Sequence, residues 1–268
     1  MNRNGPVALA YHTLFVAFML APILVVCFVA FTPEGYLSFP TDRWSLRWFY
    51  AIGRYPEFVS AFWRSLWLGA LSSAVAVAFS VPAALAIARY RFRGREAMMA
   101  LFMSPLMIPH VVLGIAFLRF FTEIGLGGTF AGLVLSHIVI VLPFALRLTL
   151  ASAVGLDRSI EHAAISLGAS EATVLRRITL PLVLPGMISG WALAFINSFD
   201  EVTMTVFIAA PATVTLPVRM FLYIQDNIDP LVTSVSACVI AITVAALIVL
   251  DRAYGLERLL VGRSVDGR

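Results

Sequence analysis

Six apolar runs, each of about 20 residues or more, divide this chain, and no soluble core can take them all in. The runs cover residues about 7–31, 62–88, 97–120, 128–150, 183–209 and 231–253. At 1.5 Å per helical residue, about 20 residues cross the hydrocarbon core of a bilayer. Of the 268 residues, 60% are hydrophobic and 13% charged, where soluble domains hold about 45–50% and about 25%. Lipid is therefore the solvent. Inside it every backbone N–H and C=O must be satisfied within its own segment, so the runs are helices. The expected fold is an all-α membrane protein with six transmembrane helices in one domain, residues 1–268. A signal peptide competes for the first run. Only Arg3 precedes it, however, the apolar stretch is long, and no small-residue cleavage site follows, so it reads as a span.

All 19 basic residues are arginine, and nothing functional follows from that. A pI near 9.4 alone would admit nucleic acid as a partner. The arginines, however, sit in short loops beside the apolar runs, which is the signature of membrane topology. Arg89, Arg91, Arg93 and Arg95 crowd one such loop. With six spans, about thirteen arginines fall in the N-terminus, second loop, fourth loop and tail (Arg252, Arg258, Arg263, Arg268), against about six on the other side. This asymmetry places both termini in the cytoplasm. Cys27 and Cys238 lie inside apolar runs and read as buried thiols, not as a disulfide or metal site. No Gly-rich phosphate loop is present, and no histidine has a ligand partner at metal-binding spacing.

Between the first two runs, residues 32–60 contain Pro33, Gly35, Pro40 and Asp42, a wet connection. Trp44, Leu46, Trp48, Phe49 and Tyr50 predict a short aromatic helix at the membrane interface. Ala, Ser and Val in the second run mark close helix contacts. Pro82, Pro105, Pro109 and Pro143 interrupt apolar runs and predict helices that are not straight.

The polar loop 153–181 is the most informative stretch. Asp157 is placed to cap a short helix whose Ile160, Ala163, Ala164 and Leu167 share one face, and Gly168 can end it in the left-handed conformation. Ser170 caps a second helix carrying Val174, Leu175 and Ile178, expected to close at Pro181. The product is a bent pair with a small-residue tip, shaped to be gripped by a partner.

The pattern His162-Ala163-Ala164, then Gly168, then Ile178-Thr179-Leu180-Pro181 resembles the EAA loop of ABC-importer permease subunits. Ser45, Leu46, Arg47 and Trp48 match a run common in that family. The resemblance implies the type I importer permease fold, with 153–181 as a cytoplasmic coupling loop in the bacterial inner membrane. It implies that Glu161, His162, Ala163, Ala164, Leu167, Gly168, Ile178, Leu180 and Pro181 couple to an ATPase. The partners it implies are an ABC ATPase dimer that binds the ATP, a second permease subunit, and an extracytoplasmic solute-binding protein. The chain itself needs no cofactor and is no enzyme. Two positions depart from the pattern. His162 stands where the family has glutamate, with Glu161 one residue earlier, about 100° away around the helix, and Arg64 precedes Ser65-Leu66 where asparagine is common.

Asn197, Asp200 and Glu201 fall at i, i+3 and i+4 of the fifth run and are expected on one helix face, about 22 Å from Pro185. Acids at that depth face a bundle interior, a wet cavity or a partner. They either line a path favouring cations, with His110 beside them, or sit in an ion pair with Arg219, Arg119 or a partner subunit. Ser198-Phe199-Asp200-Glu201, with Thr215-Leu216-Pro217-Val218-Arg219-Met220, is similar to the spermidine/putrescine branch of these permeases. That resemblance implies a polyamine substrate; ferric iron, thiamine, opine and aminophosphonate importers are the alternatives. A rival of another class is a proton-coupled secondary transporter using Asp200, Glu201 and His110 as a relay, which leaves the loop pattern unexplained.

Overall fold

The computed structural model describes residues 5–41 and 43–254. Arg3, Asp42, Arg258, Arg263 and Arg268 lie outside them. Among the described residues there is no strand. The helices are α1 (Pro6–Val29), α2 (Arg47–Ile52), α3 (Pro56–Arg89), α4 (Arg95–Met103), α5 (His110–Glu123), α6 (Phe130–Val154), α7 (Arg158–Ser166), α8 (Glu171–Val174), α9 (Leu180–Phe199), α10 (Thr205–Ile208), α11 (Leu216–Asp226) and α12 (Leu231–Tyr254). Five segments are long and apolar enough to cross a membrane, and a bent pair makes a sixth. The described residues cluster into two compact units, one drawn from Met1–Ser60 and Arg219–Arg252, the other centred on Ala61–Val218.

In the first unit the connection after α1 is organised by aromatic residues. Phe31 packs against Trp44 and Phe49. Trp48 is buried, its indole N–H donating to the Glu34 carbonyl at 3.0 Å. The short aromatic helix thus exists as α2, but its Trp48 serves a protein core instead of a lipid interface. Arg219 donates to Glu57 at 2.7 Å, and Ser234 donates to the Ala30 carbonyl.

The second unit is built on the pair α6 and α9. Gly186 and Gly190, four residues apart on α9, let the two backbones meet. A Cβ on Gly186 would lie 2.4 Å from Ser152 Cβ and 2.8 Å from the Leu148 carbonyl oxygen, and one on Gly190 would lie 3.0 Å from the Ala145 carbonyl oxygen. In lipid, where apolar burial drives nothing, such close packing is what holds helices together. Leu68, Val77, Ile140, Val141, Ala145, Ala194 and Met204 fill the core around the pair. Arg64 donates to the Val214 carbonyl and Ser65 accepts from the Leu216 N–H, so both residues of the departing Arg64-Ser65 pair hold the loop that precedes α11.

Three expectations change. The third run is not one helix: α4 and α5 meet at 101°. A 3₁₀ turn, Ser104–Met107, and the extended Ile108 (ψ 127°) separate them. Pro109 forces that conformation on Ile108, because its ring excludes the α region for the preceding residue. Pro82 and Pro143, by contrast, sit inside continuous helices. The fifth run ends as a helix at Phe199, not at 209. Finally, Pro181 closes nothing. Residues 171–199 form one segment, with a π turn at Leu175–Thr179 leading directly into α9. The wider turn accommodates a ring that has no N–H to give and clashes in tight helix.

Replacing Gly186 by valine should force α6 from α9 and cost about 1–3 kcal/mol or more. That corresponds to a fall of about 2–10 °C in thermal midpoint for the detergent-solubilised protein. Gly35→Ala, with open space around its Cβ, should leave the midpoint unchanged.

Candidate functional site

The loop between α6 and α9 folds locally as its residues dictate. Asp157 accepts from the Ser159 N–H at 2.9 Å and so caps α7. The same hydrogen bond holds its carboxyl below the ordinary aspartate value. At the other end Gly168 adopts φ +89°. Its N–H reaches the Ile165 carbonyl and the Ala169 N–H reaches the Ala164 carbonyl, a Schellman closure. Ser170 accepts from the Thr173 N–H and starts α8. Ile160, His162, Ala163, Ile165 and Leu167 are exposed, Leu167 at 89%, and Ala164 is half-buried. An apolar ridge thus stands out from a polar loop.

Glu161 points the other way. It is 6% exposed and pairs with the Arg89 guanidinium at the end of α3. Thr179, fully buried in the π turn, donates to the same carboxylate oxygen and accepts from Arg89 at 3.0 Å. The displacement from His162 to Glu161 therefore does not lose an ion pair; it turns the acid inward. Of the coupling residues at the end of the loop, Ile178 and Leu180 are half-buried and Pro181 is exposed. The junction with α9 is filled by Thr179 and by Val183, which packs on Leu85 and Ala153. Arg89 was legible only as one of four loop arginines; an acid one residue out of place was the signal that a cation had to be found for it.

The second candidate lies where α9 ends. Asp200 and Glu201 do not share a helix face with Asn197, because the helix stops at Phe199. Glu201 is the cause. Its carboxylate accepts from the Met204 N–H at 2.8 Å, the Thr205 N–H at 2.8 Å and the Thr205 hydroxyl at 2.6 Å, serving as acceptor for the N–H groups that open α10. His110 Nδ1 lies 3.3 Å from the same group. The Thr205 hydroxyl donates to the carboxylate, its oxygen lies 3.0 Å from His137 Nε2, and His137 Nδ1 lies 2.7 Å from the Ser198 hydroxyl. Both ring nitrogens of His137 thus have partners in a buried chain. Neither arginine considered as a partner takes part: Arg219 pairs with Glu57 and Arg119 with Glu123.

His110, Asn197, Asp200 and Glu201 do come together, lining an open pocket of about 430 Å³. Asn197 donates to the Leu193 carbonyl, which leaves its amide oxygen free. Asp200 is exposed and has no partner among the described residues. A separate groove of about 600 Å³ runs between α4 and α6 past Met99, Met103, Leu148, Ala151 and Arg147. Arg147 is exposed, also unpartnered among the described residues, and was not singled out by the sequence.

Residues 80–256, which hold both candidates, match the family model described as binding-protein-dependent transport system inner membrane component. The chain belongs to this family. It is a permease subunit of an ABC importer, crossing the inner membrane several times. The spermidine/putrescine transport system permease protein PotC of Haemophilus influenzae is 29% identical over 89% of this chain and 93% of its own length. The putrescine transport system permease protein PotI of Escherichia coli is 30% identical over 83% and 82%. A probable molybdenum ABC transporter permease of Haloferax volcanii is 37% identical over 59% and 62%. In fold, the chain is similar to a bacterial ABC transporter involved in the import of alginate, with a TM-score of 0.74, 15% identity, and coverage of 95% and 99%.

The two acids of this permease should separate by experiment. Glu201→Ala orphans two buried backbone N–H groups, each costing about 1–3 kcal/mol, and should lower folded yield and thermal midpoint. Asp200→Asn, at an exposed and unpartnered position, should leave both unchanged.

Proposed function

We propose that this permease forms half of the path of an ATP-driven polyamine importer, with α7 as the helix through which a cytoplasmic ATPase drives it. The observation that carries the coupling reading is the exposed ridge of α7. Ile160, Ala163 and the 89% exposed Leu167 stand on a rigidly capped helix, which is how an anchor presented to a groove looks. ATP binding closes the two ATPase subunits and moves α7 with them. The motion passes through the π turn into α9 and shifts the spans between inward- and outward-facing arrangements. An extracytoplasmic binding protein delivers substrate to the open side, and a second, related permease completes the path. Both termini and the α7 loop lie in the cytoplasm.

For the cargo, the support is the pair of polyamine-system relatives together with the pocket at the end of α9. The Glu201 carboxylate is occupied by its own backbone, which leaves Asp200 as the acid free to meet an ammonium group, with the Asn197 amide oxygen beside it. A second reading rests on Arg147 and on the molybdenum-system relative: an unpaired guanidinium in the α4–α6 groove suits an oxyanion.

Cells lacking their own polyamine importers, expressing the whole transporter, should take up radiolabelled spermidine or putrescine saturably, and lose that uptake on ATP depletion. Asp200→Asn should reduce it about tenfold, as expected when a charged hydrogen-bond partner is lost. ATP-dependent molybdate uptake without polyamine uptake would move the cargo to the second reading. Leu167→Asp should abolish co-purification of the ATPase. Gly168→Asp, strained at φ +89°, should leave the spans folded but break the link between hydrolysis and uptake.

A further inference from the structure

We propose that Arg89 is the positioning residue of energy coupling: its guanidinium locks α7, the π turn and the end of α3 into one joint. The proposal rests on the coupling reading of α7 and adds how the force is carried past it. Arg89 ends α3, Glu161 lies 72 residues on in α7, and Thr179 lies 90 residues on in the π turn. All three meet at a single carboxylate oxygen, with the Arg89 and Glu161 side chains only 20% and 8% exposed.

The chemistry suits a joint better than a docking contact. Glu161 is buried against Arg89 and Thr179 while Ile160, Ala163 and Leu167 are exposed, so a partner seated on the ridge does not meet the acid. The geometry also explains why a joint is needed here. The segment from α8 to α9 is not stiff α-helix but passes through the π turn Leu175–Thr179, and π turns are local defects in helix hydrogen bonding. A push on α7 would be absorbed there unless something clamped the turn to its surroundings. Thr179 is the last residue of that turn, and Arg89 and Glu161 clamp it from two sides. Leu85, Ala153 and Val183, from α3, α6 and α9, pack together close to that joint. Arg95, from the same loop, is used differently, donating to the Ile87 carbonyl.

The test uses the complete transporter, with permease pair, ATPase and binding protein, in lipid nanodiscs for ATP hydrolysis and in proteoliposomes for uptake. Arg89→Ala is expected to retain the ATPase in the complex and to retain hydrolysis, while uptake per ATP falls about tenfold, within the usual range of a coupling energy. The charge exchange Arg89→Glu with Glu161→Arg should recover much of the ratio that each single exchange loses. Thr179→Val, nearly isosteric, should fold normally and show a smaller loss of the same kind; it decides the matter if the charge variants fail to assemble. Unchanged uptake per ATP in assembled Arg89→Ala, or in Thr179→Val when Arg89→Ala does not assemble, overturns the proposal. So does loss of the ATPase from a folded Arg89→Ala permease, which would make the trio a docking contact. Leu167→Asp is the control. If it keeps its ATPase, the reading of α7 itself fails; if it loses the ATPase while Arg89→Ala couples normally, only the joint is wrong.

Discussion

The approach of α6 to α9 governs the larger part of this permease. Two glycines one helical turn apart, Gly186 and Gly190, remove the side chains that would otherwise keep the backbones apart. A membrane gives helices no hydrophobic reason to associate, so contact distance decides whether dispersion can hold them. Once α6 and α9 are fixed, the loop between them has both ends anchored, and α7 stands at a set position with its ridge outward. The pocket at the far end of α9 is fixed by the same pair, because Ser198 on α9 meets His137 on α6.

Polar side chains inside the spans act as terminators and ties. Glu201 ends α9 by offering its carboxylate to two backbone N–H groups ahead of it, a better bargain in a dry interior than continuing a helix past an unsolvated acid. Thr205 and His137 extend that satisfaction inward, linking Ser198 to Glu201 in one buried chain. Of the two acids that line the open pocket, Asp200 is the one without a partner among the described residues. The same logic operates at the other end of the segment, where Glu161 is tolerated in a buried position because a guanidinium and a hydroxyl both serve it. A buried carboxylate without such partners would cost several kcal/mol.

The two ends of the loop motif differed in legibility. Asp157, Gly168 and Ser170 acted as read, because capping is a local matter of backbone angles and one hydrogen bond. Pro181 did not, since whether a proline stops a helix depends on whether the preceding turn can widen, and here it does. Asn197, Asp200 and Glu201 line one pocket but do not share a helix face, because helical spacing does not continue past Phe199. Pro105 and Pro109 were known to disturb a span, yet a break of 101° depends on both acting within a few residues.

By itself the sequence determined the solvent, the α-helical class, the apolar runs and the importer family, because hydropathy, charge asymmetry and short-range motif spacing are properties of contiguous residues. The tertiary structure alone decided which cation meets Glu161 and which histidines meet Glu201 and Ser198, and it left Arg147 without a partner among the described residues. The first two of those outcomes depend on residues 61 to 91 positions apart being brought within hydrogen-bond reach. No local pattern encodes that distance; the close packing of the helices does.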